Sequence, residues 1–117
     1  MKIKKCNVCG NIIITKNDKT LICCNEGMVD VIPNSVDASF EKHIPEYEII
    51  NNKINIKVNH VMQENHYIKW IMLCNNNQVF YKEFNINEIP EVTFEFIEDA
   101  TIYSYCNLHG LWAKKVE

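Results

Sequence analysis

The chain contains no arginine: its 12 basic residues are all lysine, set against 15 acidic ones, for a formal net charge of -3. Nowhere do the lysines gather into a basic run. Phosphate binding needs clustered positive charge, so nucleic acid is excluded as the main partner. The missing arginine, together with many Ile and Asn, reads as codon bias and carries no functional meaning. No apolar run approaches the ~20 residues needed to cross a bilayer, so no membrane span is expected. Met1-Lys2-Ile3-Lys4-Lys5-Cys6 is positively charged but leads into no apolar stretch, so it does not read as a signal peptide. These absences predict a cytoplasmic protein, in which thiols stay reduced. Long helices, repeats and low-complexity segments are missing too. Of the 117 residues, 47% are apolar and 23% charged, which fits a soluble globular protein of one ordinary domain, or of one small domain plus a mini-domain.

What the chain does have is six cysteines and four histidines. In a reducing compartment such cysteines are metal ligands before they are disulfides. Residues 1–28 read as a mini-domain. Lys2–Lys5 and Asn11–Thr15 are strand candidates, and Cys6-Asn7-Val8-Cys9-Gly10 is a tight turn with Gly where positive φ is needed. Thr20–Ile22 leads into a second turn, Cys23-Cys24-Asn25-Glu26-Gly27. So short a segment buries little core, so a metal staple is expected. Val29 to Ser39, with Pro33, Asn34 and Ser35, reads as a linker.

Beyond the linker the pattern is β. Tyr47–Ile50 and Lys53–Val58 flank Asn51-Asn52, a favoured hairpin turn pair. Ile54, Ile56 and Val58 alternate with Lys53, Asn55 and Lys57. Tyr67–Cys74, Gln78–Phe84, the stretch around Val92, Phe94 and Phe96, Ile102–Cys106 and Leu111–Val116 complete about seven short strands. That number, with turn signals between, predicts an all-β antiparallel sandwich.

Two sets of soft ligands stand out. Cys6, Cys9, Cys23 and Cys24 can form a tetrahedral four-sulfur site for iron or zinc. Adjacent Cys23 and Cys24 depart from the spaced pairs of a zinc ribbon, and both can reach one ion only if the backbone bends sharply. That departure favours a distorted iron site. A structural zinc knuckle, in a plain binding module, is the alternative. His43, His60, His66, Cys106 and His109 form the second set. Taken singly, each histidine reads as a surface or hydrogen-bonded residue, and Cys106 as a buried thiol. Together they fall in loops that can converge at one end of a sandwich. A mononuclear iron held by four imidazoles and one thiolate would keep a sixth position open for a small ligand. Cys74 matches no ligand position and reads as a buried thiol, and Trp70 and Trp112 as core or site-lining rings.

The motifs resemble those of the desulfoferrodoxins, the two-iron superoxide reductases, over nearly the whole chain. The resemblance rests on Cys6-x-x-Cys9 with Cys23-Cys24, on Val36 to Pro45 with Glu41-Lys42-His43, on Asn65-His66-Tyr67-Ile68-Lys69-Trp70, and on Cys106-Asn107-Leu108-His109-Gly110. It implies a small rubredoxin- or desulforedoxin-like Fe(Cys)4 knuckle over residues 1–36. An immunoglobulin-like β-sandwich with a mononuclear iron would follow over residues 37–117. It further implies that His43, His60, His66 and His109 are equatorial ligands and Cys106 the axial thiolate. Glu41 would occupy the sixth position in the oxidised state, and Lys42 would be the cation beside it. The implied reaction is reduction of superoxide to hydrogen peroxide by a homodimer, re-reduced by a donor such as rubredoxin. A non-catalytic iron electron carrier is the rival. One departure is His60-Val61-Met62, where the family usually has His-Pro-Met.

Overall fold

A computed structural model describes residues 2–35 and 42–117 of the chain. The described residues contain no α-helix, and no helix is long and apolar enough to cross a membrane. They divide into two compact units, Met1–Ile32 and Pro33–Glu117.

In the first unit β1 (Lys2–Lys5) is central, with β2 (Ile12–Thr15) on one side and β5 (Val29–Asp30) on the other. β3 (Ile22–Cys23) and β4 (Glu26–Gly27) form a separate minimal hairpin. Val29–Asp30 therefore corrects the start of the expected linker. Two residues carry no periodicity, and what recruits them is pairing with β1, reinforced by the Lys4–Asp30 ion pair at 2.7 Å. The predicted Lys2–Lys5 strand is found as drawn, while the second is one residue shorter.

Among its described residues the second unit has seven strands in two antiparallel sheets. β6 (Glu46–Ile50), β7 (Lys53–Lys57) and β10 (Glu91–Glu95) form one, in the order β10-β7-β6. β8 (Ile68–Cys74), β9 (Val79–Glu83), β11 (Thr101–Cys106) and β12 (Gly110–Lys115) form the other, in the order β12-β11-β8-β9. Asn51 and Asn52 both have positive φ, 52° and 65°, as a two-residue turn matching the strand twist requires. The alternation in β7 drives Ile54 and Ile56 into the core, fully buried, where they meet Ile68, Ile71, Leu73, Ile102 and Cys106. Burying each such aliphatic side chain contributes about 2 kcal/mol before entropy is counted.

The pairing of β8 with β11 slips near its end. Ser104 faces Ile71 and Tyr105 faces Trp70, but Cys106 faces Ile68, leaving Lys69 over as a bulge. A strand alternates sides with period two, so without the slip Ile68 would share the face of Trp70 and Met72. The bulge instead puts Ile68 in the core beside Cys106. Pro33 and Asn34, expected in the linker, continue the second unit's order. Asn34 donates from Nδ2 to the Ala113 carbonyl and accepts from the Ala113 amide, stitching it to β12.

Candidate metal centres

The first unit gathers Cys6, Cys9, Cys23 and Cys24, whose sulfurs all lie within 4.8 Å of one another. None of the six cysteines is disulfide-bonded. Adjacent Cys23 and Cys24 both reach the cluster because Cys24 and Asn25 take positive φ, 54° and 62°, as the two turn residues of the β3–β4 hairpin. This is the sharp bend their adjacency required. Gly10, at φ 79°, closes the opposite turn, donating its amide to the Cys6 carbonyl.

The spacing tests the site for a metal. Cys9 and Cys23 sulfurs are 3.7 Å apart and those of Cys23 and Cys24 3.9 Å. Sulfurs about 2.3 Å from one tetrahedral ion would sit about 3.8 Å from each other. The polar surroundings agree. Amides of Val8 and Cys9 donate to the Cys6 sulfur at 3.4 and 3.5 Å, and that of Asn11 to Cys9 at 3.4 Å. The Cys9 amide, with that of Val8, pulls the Cys6 thiol down to about 7. The sulfurs of Cys9 and then Cys6 push Cys23 up to about 12. Four crowded sulfurs cannot all be anions unless a cation sits among them.

The second unit assembles its site at the end of the sandwich where Cys106 finishes β11. His43 precedes β6, His60 and His66 lie in the β7–β8 connection between the sheets, and His109 lies in the β11–β12 turn. That turn closes on Gly110 at φ 78°. Donor atoms of His43, His60, His66 and Cys106 lie within 4.8 Å of one another. His109 adjoins them, its Nδ1 3.1 Å from His43 Nε2 and 3.9 Å from the Cys106 sulfur. Nitrogens about 2.1 Å from one ion and at right angles would be about 3.0 Å apart.

The ring orientations leave lone pairs aimed inward. His60 Nδ1 sits 2.6 Å from the Val61 carbonyl, which can only accept, so the proton is on Nδ1 and Nε2 is bare beside Cys106 at 3.4 Å. A proline carbonyl could accept equally, so Val61 in place of the family's proline leaves this contact available. His66 Nε2 is buried with no hydrogen-bond partner among the described residues. Such an orphan is costly unless a metal takes the lone pair. Burial holds the imidazolium forms of His60 and His66 below their usual range, aided by the neighbouring imidazoles. His43 is 3% exposed and stacks on fully buried Trp112, centroids 4.8 Å apart. Buried Ser104 donates to the His43 carbonyl at 3.3 Å.

Neutral imidazoles and a thiolate are borderline-to-soft donors that suit iron, as thiolates alone suit iron or zinc. The residues present therefore fit two metal centres. Lys42 is exposed and shares with His60 an open cleft of about 720 Å³, lined also by Lys57, Met62, Ile86 and Pro90. Glu41 lies outside the described residues. Cys74 is buried on the β8 face that carries Trp70 and Met72 and is a member of neither donor cluster. Sequence reasoning overlooked the supports: Ser104 and Asn107 were legible only as neighbours of a candidate ligand.

Known proteins are similar to this chain. The family model for desulfoferrodoxin matches residues 35–115. A desulfoferrodoxin homolog from Methanothermobacter thermautotrophicus is 39% identical over 118 residues, covering 95% of each chain. The desulfoferrodoxin of Desulfarculus baarsii is 39% identical over 119 residues, covering 96% of this chain and 94% of its own. The crystal structure of the superoxide reductase from Treponema pallidum matches with a TM-score of 0.78 at 30% identity, covering 98% of this chain and 100% of that one. A likeness running through both units, and through the segments that bear both donor clusters, makes this chain a member of the desulfoferrodoxin family.

Proposed function

We propose that the protein is a superoxide reductase that converts superoxide, one electron and two protons into hydrogen peroxide. The observation that carries this reading is the convergence of four imidazoles and the Cys106 sulfur beside an open cleft containing Lys42. Iron held by His43, His60, His66, His109 and Cys106 supplies, when bound, the single electron that superoxide takes up. Cys106 contributes an anionic donor, one of the levers by which a protein tunes iron. The neutral imidazoles add no charge of their own, so the set carries one negative charge for the metal to balance. Lys42 attracts the superoxide anion into the cleft, which is open enough for water to deliver both protons. Glu41 is the carboxylate assigned to cap the oxidised site.

In this reading residues 1–36 carry the thiolate-only iron and residues 37–117 the catalytic one. An external donor, a small iron protein such as rubredoxin, restores the electron. The protein works as a cytoplasmic homodimer.

A paired assay under steady superoxide flux tests the function, with iron content and visible absorption measured on the same sample. The expected result is two irons per chain and one donor electron consumed per peroxide formed. Sustained oxygen evolution without donor would make the protein a dismutase. Iron-replete protein that neither reacts with superoxide nor binds azide would make it an electron carrier.

Lys42→Ala tests the cleft. A focused positive field raises the encounter rate with an anion by roughly ten-fold or more, and salt screens it. The variant should react with superoxide about ten-fold more slowly at low salt. Its rate should depend less on ionic strength, and its iron spectrum should match the parent's. Pulse radiolysis at several salt concentrations makes the measurement. An unchanged rate and salt slope would remove Lys42 from the mechanism.

A further inference from the structure

His66 is held locally by its backbone pair with Gln63, at 3.0 and 3.1 Å, while its buried Nε2 has no hydrogen-bond partner among the described residues. The ladder between β8 and β11 has ended by this point, its last pair being Ile68 with Cys106. Asn107 bridges the gap. Its backbone amide donates to the Tyr67 carbonyl at 3.1 Å. Its Oδ1 accepts from the Tyr67 amide at 2.9 Å, and its Nδ2 donates to the Asn65 carbonyl at 3.0 Å. One residue thus grips the chain on both sides of His66, while standing between Cys106 and His109. The amide orientation is fixed by its partners: an N–H needs an acceptor and a carbonyl needs a donor.

We infer that Asn107 is a positioning residue for the five-donor site, locking the His66 segment to the Cys106–His109 turn; this rests on the metal-site reading above. Asparagine offers here an acceptor and a donor on two separate atoms, which the single hydroxyl of the similarly sized threonine does not. Aspartate keeps the acceptor but sets an oxygen against the Asn65 carbonyl, and alanine keeps neither group. The residues that orient ligands, as distinct from the ligands, typically govern metal affinity by 10- to 100-fold.

The test compares Asn107→Asp and Asn107→Ala with the parent, all iron-loaded. It follows iron release to a chelator and the thiolate-to-iron absorption band of the oxidised five-donor centre. The thiolate-only centre in the same chain is the internal control. The variants should release iron from the five-donor centre at least ten-fold faster, with a weakened or shifted band, and from the thiolate-only centre at the parent's rate. Parental release and an unmoved band would overturn the proposal, even with a lower melting temperature, since that pattern marks a merely structural residue. If the alanine variant misfolds, the aspartate variant, nearly identical in size, carries the test. Failure of both to fold would make Asn107 a folding determinant and also overturn it. A parent that takes up no metal on its histidines would defeat the underlying site reading, and this inference with it.

Discussion

Replacing Cys106 with serine should abolish rapid superoxide reduction while leaving the thiolate-only centre intact. Cys106 is fully buried and belongs to the sandwich core, with His60 Nε2 3.4 Å and His109 Nδ1 3.9 Å from its sulfur. A serine hydroxyl is a harder and far less acidic ligand, so the site would lose its one anionic donor. The hydroxyl would also sit in apolar surroundings, at a cost of about 1–3 kcal/mol if it finds no partner. The expected result is loss of the thiolate-to-iron absorption and a rate with superoxide at least a hundred-fold lower. Circular dichroism should show a folded sandwich, and the thiolate-only centre's spectrum should be unchanged. A parental rate with the charge-transfer band still in place would show that the sulfur of Cys106 does not ligate.

The second large effect lies in the other unit and points the opposite way for activity. Cys23→Ser should unfold much of Met1–Ile32 yet spare the reaction with superoxide. The unit's largest sheet has three short strands and its second is a two-residue hairpin. Its fully buried apolar side chains are few, so the metal has to supply most of its stability. Metal binding contributes about 10–16 kcal/mol to folding in zinc-finger peptides, which shows how far such a staple can dominate. Hydrogen exchange should therefore accelerate by at least a hundred-fold at amides of Lys2–Lys5 and Ile12–Thr15. It should change little in Ile68–Cys74. If the variant keeps its histidine-bound iron but no longer reacts with superoxide, the thiolate-only iron is obligatory for the chemistry.

The sequence exposed the sandwich where patterning was two-sided. Lys53–Lys57 alternates so cleanly that its inward face could be named in advance, and Asn51-Asn52 announced its own turn. The short pairs Glu26–Gly27 and Val29–Asp30 were invisible, because two residues have no period and their pairing is decided by distant partners. The bulge at Lys69 was hidden for the same reason: the slip becomes apparent only when β8 meets β11. Ligand types were readable because cysteine and histidine are few, and Cys106-x-x-His109 carried a family signature. Ring orientations were not, since the Val61 carbonyl and the Trp112 face reach the histidines through folding alone. Asn107 shows the limit most sharply: its letter was in plain view, but its three bonds cross to residues 65 and 67.

The two clusters also differ in how far along the chain their members must be gathered. Cys6 to Cys24 are brought together by a pair of tight turns, so the thiolate cluster closes locally. The histidine cluster reaches from His43 to His109 and cannot exist until β11 has paired with β8 within their sheet. Local contacts form early in folding, and pairings between distant segments form late. A newly made chain therefore offers its thiols to iron before its imidazoles. Under iron limitation, the order of assembly alone would fill the accessory centre first and leave the catalytic one waiting.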